Sequence, residues 1–162
     1  MNPLAARPPE WARTQASSFD IAVDDGGAFL PSSTTVLTLV ARYRRSGGCL
    51  RCEETSARRG LANGDVPTAL LERAADGRVV SLKGLGAIWI PVFQFQRPGW
   101  VLKPAVRDVL KELRGVFDPH EMATWFASSN DWLGLRRPAD VLDADRAALL
   151  SAARADRFVA VG

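Results

Sequence analysis

Few side chains in this sequence could do chemistry, and they do not assemble into a catalytic set. Cys49 and Cys52 are the only cysteines, and His120 is the only histidine. The Cys-x-x-Cys spacing could supply half of a zinc site, but a structural zinc site needs four nitrogen or sulfur ligands and no second pair exists. A thioredoxin-like motif needs a βαβ context that the sequence does not show. We interpret both thiols as packed or reduced, and His120 as an exposed surface residue in the first turn of a helix.

Two other groups have spacings that suggest ligand binding, and the surrounding sequence argues against both. Gly84 and Gly86 lack the helix that should follow a phosphate loop. The carboxylates of Asp140, Asp143 and Asp145 lie close together without a loop of calcium-binding form, so they are expected to cap helices. The sequence therefore predicts no enzyme, no metal site and no cofactor.

Length and composition set the broad class. The 162 residues are enough for one domain or two small ones, and 47% of them are hydrophobic, which is enough for a packed core. No apolar run is long enough to span a membrane, and the first residues lack the apolar segment of a secretory signal. Having only two cysteines suits a reducing cytoplasm. The net charge of +3 is compatible with nucleic acid but mild.

The best-marked element is a helix that begins after Asp118. The Asp118 side chain can cap it, Pro119 suits the first helical position, and Glu121 completes a capping box. Its apolar stripe is predicted at Met122, Trp125 and Phe126. Residues 128–131 end this helix.

Two more helices are predicted after this point. Pro138 is a good first residue for a short helix that ends near Leu142. Asp145 can cap a last, Ala-rich helix through about Ala155. Residues 156–162 then form a short apolar tail.

The segment NDWLGLRRPADVL, residues 130–142, resembles a known motif, N-x-x-L-x-G-x-x-P-x-x-x-L. That motif belongs to the toxin-binding domain of bacterial Xre/MbcA/ParS-type antitoxins. The preceding helix with its Trp, the following Ala-rich helix and the aromatic-Gln-aromatic run at residues 93–95 also suit that family. The likeness covers roughly residues 90–157. One position departs, because the motif's glycine is Leu135 here and the glycine is Gly134. A leucine would be strained if the turn needs a positive φ at that position.

The resemblance implies a protein that binds and neutralises a cognate toxin, of the RES type that consumes NAD, and that can autoregulate its operon. The side chains predicted to serve this binding are Trp125, Asn130, Trp132, Leu133, Arg136, Arg137 and Phe158. Asn130 is expected to fix the turn through backbone hydrogen bonds. Arg136 and Arg137 are expected to be exposed donors for a partner's carboxylates. Trp132 is either an anchor on the partner or core, with core favoured.

The tail also has two interpretations. In the resembled family, the C-terminal region can approach or enter the toxin's active site, and an apolar tail from Phe158 onward suits that role. The alternative, slightly favoured, is a short strand or plug that packs on its own domain.

The first part of the chain is predicted to begin with a flexible arm, residues 1–18, and a short strand, residues 19–23. A helix capped by Ser32, Ser33 or Thr34 follows, although the β-branched content leaves a strand as an alternative. Its apolar stripe is Val36, Leu39, Val40 and Tyr43. That stripe is either core or the seam of a homodimer.

Residues 52–90 have the order helix, turn, helix and hairpin, which is typical of a winged helix-turn-helix. The helices are predicted at residues 52–59 and 67–75, and the strands at residues 78–82 and 87–90. Family members commonly carry a DNA-reading unit here, so operator DNA is a second candidate partner. The candidate DNA contacts are Arg51, Arg58, Arg59, Thr68, Arg73 and Lys83. They are equally compatible with phosphate binding and with a solvated face. The alternative function is therefore a DNA-binding transcriptional regulator.

A further helix is predicted to open at Pro104 and to end at Gly115, with a buried stripe at Val106, Val109, Leu110 and Leu113. Its charged residues are expected to face water: Arg107, Asp108, Lys111, Glu112 and Arg114. The predicted fold is mainly α with a small β hairpin. It comprises a degenerate winged helix-turn-helix in residues 19–95 and a helical toxin-binding-like module in residues 96–162.

Overall fold

The computed structural model describes residues 22–23, 29–30, 33–51, 72–74, 76–97 and 100–162. These form a mainly helical protein with a small antiparallel sheet, as predicted. The predicted arm, the first helix of the helix-turn-helix and most of its second helix lie outside the described residues. The winged helix-turn-helix therefore stays a prediction.

Five helices have both ends in the described residues: α1 (Ser33–Arg42), α2 (Pro104–Leu113), α3 (Pro119–Ala127), α4 (Pro138–Val141) and α5 (Arg146–Val161). Short 3-10 helices cover Tyr43–Ser46, Val92–Gln94 and Asp131–Leu133. Residues 33–42 form helix α1 and not the strand that the sequence left open as an alternative. None of the helices in the described residues is both long and apolar enough to cross a membrane.

The strands are β1 (Ala22–Val23), β2 (Phe29–Leu30), β3 (Cys49–Arg51), β4 (Leu82–Gly84), β5 (Ala87–Pro91), β6 (Phe95–Gln96) and β7 (Val101–Leu102). Strands β3, β5 and β4 form an antiparallel sheet in that order, with β5 in the centre. The pairs β1–β2 and β6–β7 are separate antiparallel ribbons. Strand β3 was missed by the sequence analysis.

The predicted hairpin exists, but its first strand was placed too early. Strand β4 begins at Leu82, and the turn is Leu85-Gly86 with φ of 58° and 68°, as a two-residue type I′ turn requires. The expected strand over residues 78–82 is wrong because the side chain of Gln94 takes the place of a partner strand. Its Oε1 accepts from the Val80 amide at 2.7 Å, and its Nε2 donates to the Val80 carbonyl at 2.9 Å.

One buried cluster joins the two predicted regions of the chain. Leu39 and Tyr43, together with Phe93, pack with side chains of α2, α3 and α5. The Tyr43 ring stacks on Phe93 with centroids 5.3 Å apart, and the Tyr43 hydroxyl donates to the Ala123 carbonyl. The α1 stripe is therefore core and not a dimer seam.

Helix α2 buries the predicted stripe, and α5 packs along it. The expectation that all its charged side chains face water is wrong for the acidic ones. Asp108 pairs with Arg146 of α5, and Glu112 pairs with two further arginines of that helix. The carboxylates of α2 therefore point toward α5.

Helix α5 continues to Val161, so the predicted end at Ala155 and the predicted tail are both wrong. No Gly or Pro interrupts residues 146–161. Asp156 and Ala160 are buried on the same face as Leu149, Ala152 and Ala153. These buried contacts continue past Ala155, and the helix continues with them.

Candidate partner-binding site

The site begins with helix α3, whose predicted start is confirmed. The Asp118 carboxylate accepts from the Glu121 amide at 2.7 Å, and the Glu121 carboxylate accepts from the Asp118 amide at 2.8 Å. Pro119 occupies the first turn. The helix buries Trp125 and Phe126 and ends at Ala127, as predicted. It delivers the chain to residues 130–138, here called the corner.

Asn130 organises the backbone of the corner, as the sequence predicted. Its amide donates to the Arg136 carbonyl at 3.1 Å, and its carbonyl accepts from the Leu135 amide at 2.9 Å. Its Oδ1 accepts from the Trp132 amide at 3.0 Å. Asn130 therefore binds the backbone of Trp132, Leu135 and Arg136.

Two consecutive residues of the corner have a positive φ, 62° at Gly134 and 64° at Leu135. A left-handed conformation costs a residue with a Cβ about 1–2 kcal/mol, and glycine almost nothing. Leu135 therefore carries the strain that the sequence analysis anticipated. It is also 69% exposed, so the side chain gains little burial in return.

The carboxylate of Asp156 on α5 holds the corner from below. Its Oδ2 accepts from Trp125 Nε1 at 2.7 Å and from Asn130 Nδ2 at 2.6 Å. Its Oδ1 accepts from Trp132 Nε1 at 3.1 Å. Asp156 is only 7% exposed, and three donors surround its charge.

Asp156 was not among the predicted site residues, because residues 156–162 were predicted to form a tail. The available signal was helical spacing. Asp156 comes three residues after Ala153 and four before Ala160, so it is a charged residue on an otherwise apolar face. A buried charge in such a position needs donors from a neighbouring element.

Trp132 is 62% exposed, so the preference for a core position is wrong. The 3-10 helix turns Leu133 inward, where it is 2% exposed, and leaves the Trp132 indole outside. Only the indole N–H reaches inward, to Asp156. The ring is thus held at one edge and open to a partner over most of its surface.

The other predicted partner-binding residues divide into support and surface. Trp125 and Leu133 are 2% exposed and Asn130 is 7% exposed, so these three cannot touch a partner and instead position the corner. Arg136 is exposed, and its Nε donates to the Leu133 carbonyl at 3.0 Å. The rest of its guanidinium stays available at the surface.

Arg137 is not the exposed donor that the sequence predicted. Its guanidinium makes two hydrogen bonds of 2.7 Å to the Asp140 carboxylate and one of 2.6 Å to the Arg42 carbonyl. It also donates to the Ser46 hydroxyl at 3.3 Å. Arg137 therefore ties the corner to the end of α1.

The last turns of α5 present Phe158, Val159 and Val161 with exposures of 77%, 53% and 63%. At about 100° per residue, Val159 lies on the flank of the helix next to Asp156, whereas Phe158 points away from it. The corner therefore has Val159 as its nearer apolar neighbour, and Phe158 lies on a different face.

The predicted DNA contacts are not gathered on one element. Arg58, Arg59 and Thr68 lie outside the described residues. Arg51 is on β3, with its guanidinium 5.7 Å from the Trp89 ring centroid, Lys83 is exposed on β4, and Arg73 is exposed in the helical residues 72–74.

Of the candidate chemical groups, the structure describes Cys49 and His120, whereas Cys52 lies outside the described residues. Burial raises the pKa of Cys49 to about 12, so its thiol stays protonated near neutral pH. His120 is half-buried, not exposed as predicted, and burial lowers its pKa, partly offset by Asp118. No group of three His, Cys, Asp or Glu side chains in the described ranges is placed to hold a metal ion.

Three aspartates after the start of α4 were predicted to cap helices: Asp140, Asp143 and Asp145. Only Asp145 does so. The Asp145 carboxylate accepts from the Ala148 amide at 2.9 Å and caps α5. Asp140 pairs with Arg137, and Asp143 pairs with Lys103 at 2.6 Å.

Comparison of the chain with protein-family models, with curated proteins and with solved structures finds no match. The resemblance to the antitoxin domain therefore stands on the motif residues alone.

Proposed function

We propose that this chain binds a protein toxin through the corner and holds it inactive. The observation that carries the proposal is the exposed indole of Trp132, fixed by the buried carboxylate of Asp156. Covering a surface of the toxin would be enough to neutralise it. The chain would need no catalytic group of its own for that. A RES-type NAD-consuming enzyme is the partner that the resemblance implies.

The fixed position of Trp132 lowers the cost of ordering a binding surface. Immobilising a side chain on binding costs about 0.5–1.5 kcal/mol, and a side chain that is already fixed avoids that cost. Trp132 is held at its backbone amide by Asn130 and at its indole by Asp156. An exposed, preordered tryptophan is the typical anchor of a protein interface.

The neighbours of Trp132 in the corner also suit a protein interface. Leu135 adds an exposed apolar side chain, and Arg136 adds guanidinium donors that can meet carboxylates. A small apolar centre with an arginine beside it is a usual composition for the centre of a protein–protein contact.

The resemblance supports the same surface. The family motif has glycine where this chain has Leu135, and the backbone there has a φ of 64°. A turn with that φ favours glycine, so the motif and this corner make the same demand on the backbone.

Co-expression with the neighbouring open reading frame, followed by pull-down, tests the proposal. We expect that frame to be toxic alone and to be rescued by this chain. Trp132→Ala should weaken binding by about 2 kcal/mol, roughly 30-fold, and abolish rescue. Circular dichroism of the purified variant checks that the fold is kept.

A matched pair of leucines controls for a general loss of apolar surface. Leu135→Ala in the corner should weaken binding, whereas Leu37→Ala on α1, 56% exposed, should not. Equal binding by wild type, Trp132→Ala and Leu135→Ala would contradict the assignment of this surface.

Operator DNA remains the alternative partner. The helix predicted to read the DNA lies mostly outside the described residues. This alternative therefore rests on the order of the elements predicted from the sequence. A mobility-shift assay at two salt concentrations separates the functions, because sequence-selective binding at physiological salt would favour the regulator.

A further inference from the structure

A basic cleft with a volume of about 550 Å³ lies between helix α2, strand β7 and the residues that precede β4. Five cationic side chains line it: Arg73, Arg78, Arg107, Lys111 and Arg114. Trp100, Leu102 and Leu110 provide its apolar wall. The cleft does not include any residue of the corner.

The charged residues of helix α2, together with Arg114 just after it, face two different sides: the cations face the cleft and the carboxylates face α5. Arg107, Lys111 and Arg114 are spaced by four and three residues, which places them on one face toward the cleft. Asp108 and Glu112 point to α5 and are neutralised there by its arginines. The cations of α2 therefore face the cleft without the carboxylates of their own helix.

Little else in the described residues neutralises this cleft. Asp76 pairs with Arg78 at 3.2 Å, and both side chains are more than half exposed. Within the described ranges no ion pair involves Arg73, Arg107 or Lys111. Arg114 donates to the Gly77 carbonyl at 3.0 Å, which orients its guanidinium, and no carboxylate of the described residues pairs with it.

Such a concentration of positive charge repels itself, so an anionic ligand would stabilise it. Along α2, Arg107 and Lys111 are separated by about 6 Å and Arg107 and Arg114 by about 10 Å. A single carboxylate cannot meet charges spread over that length. A chain of phosphates can, since arginine and lysine are the usual phosphate ligands.

We propose that this cleft binds the phosphate chain of a free nucleotide or of a nucleic-acid strand, with Trp100 and Leu102 against its uncharged part. The volume suits a ligand of nucleotide size. The combination of cations with an aromatic wall is also typical of single-strand grooves. The proposal does not depend on toxin binding, because the two surfaces share no residue.

The test uses the full-length chain and two probes. Isothermal titration measures binding of ATP, and fluorescence anisotropy measures binding of a labelled single strand of about 15 nucleotides. Both are measured at about 50 mM and about 200 mM salt, because phosphate contacts lose affinity as salt rises. The tighter of the two probes identifies the source of the phosphate chain.

The variants distinguish the cleft from net charge. Arg107→Glu with Lys111→Glu should weaken binding of the preferred probe at least about tenfold and lower the salt slope for the single strand by about 1.4. Arg44→Glu with Arg45→Glu, an identical charge change at exposed positions of the 3-10 helix Tyr43–Ser46, should change binding less than about twofold. Equal losses in both variants, or no binding of either probe to the wild type, would overturn the proposal.

Discussion

The beginning of helix α3 is held by residues within four positions of one another, whereas its end leads into a corner held by a carboxylate much later in the chain. Asp118 and Glu121 cap the first turn reciprocally at the protein surface. Asp156 accepts from Asn130, 26 residues away, and from Trp125, 31 residues away, inside the protein. The same kind of bond therefore works in two very different environments.

A hydrogen bond contributes most where water cannot replace it. A capping bond at the surface competes with water, so its loss costs about 1 kcal/mol. A buried carboxylate with several donors has no water to replace it, so losing it leaves those donors unsatisfied. The short-range capping bonds start helix α3, and the long-range bonds of Asp156 hold the candidate site in place.

Replacing Asp156 is expected to have the largest effect. Asp156→Ala leaves the N–H groups of Trp125 and Asn130 buried without an acceptor and should lower the free energy of unfolding by about 3 kcal/mol. Urea denaturation measures this. Asp143→Ala, which removes only an exposed ion pair, should cost less than about 1 kcal/mol. If the two variants unfold alike, Asp156 does not support the corner.

Removing the cap at the other end of α3 should cost less. Asp118→Ala deletes one half of the capping box, and we expect a loss of about 1 kcal/mol in the free energy of unfolding. Toxin binding should be unchanged, because the corner keeps its long-range supports. A loss as large as that of Asp156→Ala would break the distinction between local and long-range support.

A glycine at the strained position should stabilise the fold and weaken the site. Leu135→Gly relieves about 1–2 kcal/mol of left-handed strain and adds about 0.5–1 kcal/mol of chain entropy to the unfolded state. The net gain is roughly 0.5 kcal/mol, seen as a higher urea midpoint. Partner binding should fall because an exposed apolar side chain is lost. A lower midpoint would show that the leucine side chain contributes packing that outweighs its strain.

The smallest effect is a pH dependence at the start of α3. Burial lowers the pKa of His120 below its ordinary 6.5, so the unfolded chain takes up the proton first as the pH falls. The stability that His120 contributes is complete above about pH 6.5 and is lost as the pH falls through the folded pKa. Burial also raises the pKa of Glu121. Its contribution to stability therefore changes with pH in the opposite direction, and in more acidic solution.

His120→Gln isolates this contribution, because the chain has no other histidine. Chemical denaturation between pH 5 and pH 8, roughly the range in which histidine titrates, should show a flatter curve for the variant. Parallel curves for the variant and the wild type would mean that His120 titrates alike in the folded and unfolded chains.

Local signals made much of the helical fold predictable. The starts of α2, α3, α4 and α5 follow from Pro104, Asp118, Pro138 and Asp145, because caps and N-terminal prolines act within one turn. The end of α5 has no such cap or proline, and its only sequence signal was the helical spacing of Asp156 and Ala160 from Ala153. Its last turns depend on Asp156 and Ala160 packing against elements that sequence spacing does not bring together.

The same limit explains the errors in the site. The bonds of Asn130 within the corner were predicted because they span a few residues. The partners of Arg137 include Arg42 and Ser46, more than 90 positions earlier, so its role as an internal tie could not be read from its neighbours. Gln94 likewise replaces a strand through contacts made only after folding.

The sequence alone predicts where the helices start, which stripes they bury and that Asn130 closes a turn at residues 130–138. Caps, helical periodicity and turn residues act over a few positions, so they can be recognised in the sequence before the chain folds. Tertiary packing left the Trp132 ring exposed, tied Arg137 to the end of α1 and brought Asp156 to the side chains of Asn130 and Trp132. Burial and long-range hydrogen bonding depend on which elements meet, and the pairing of α5 with the corner supplies that information.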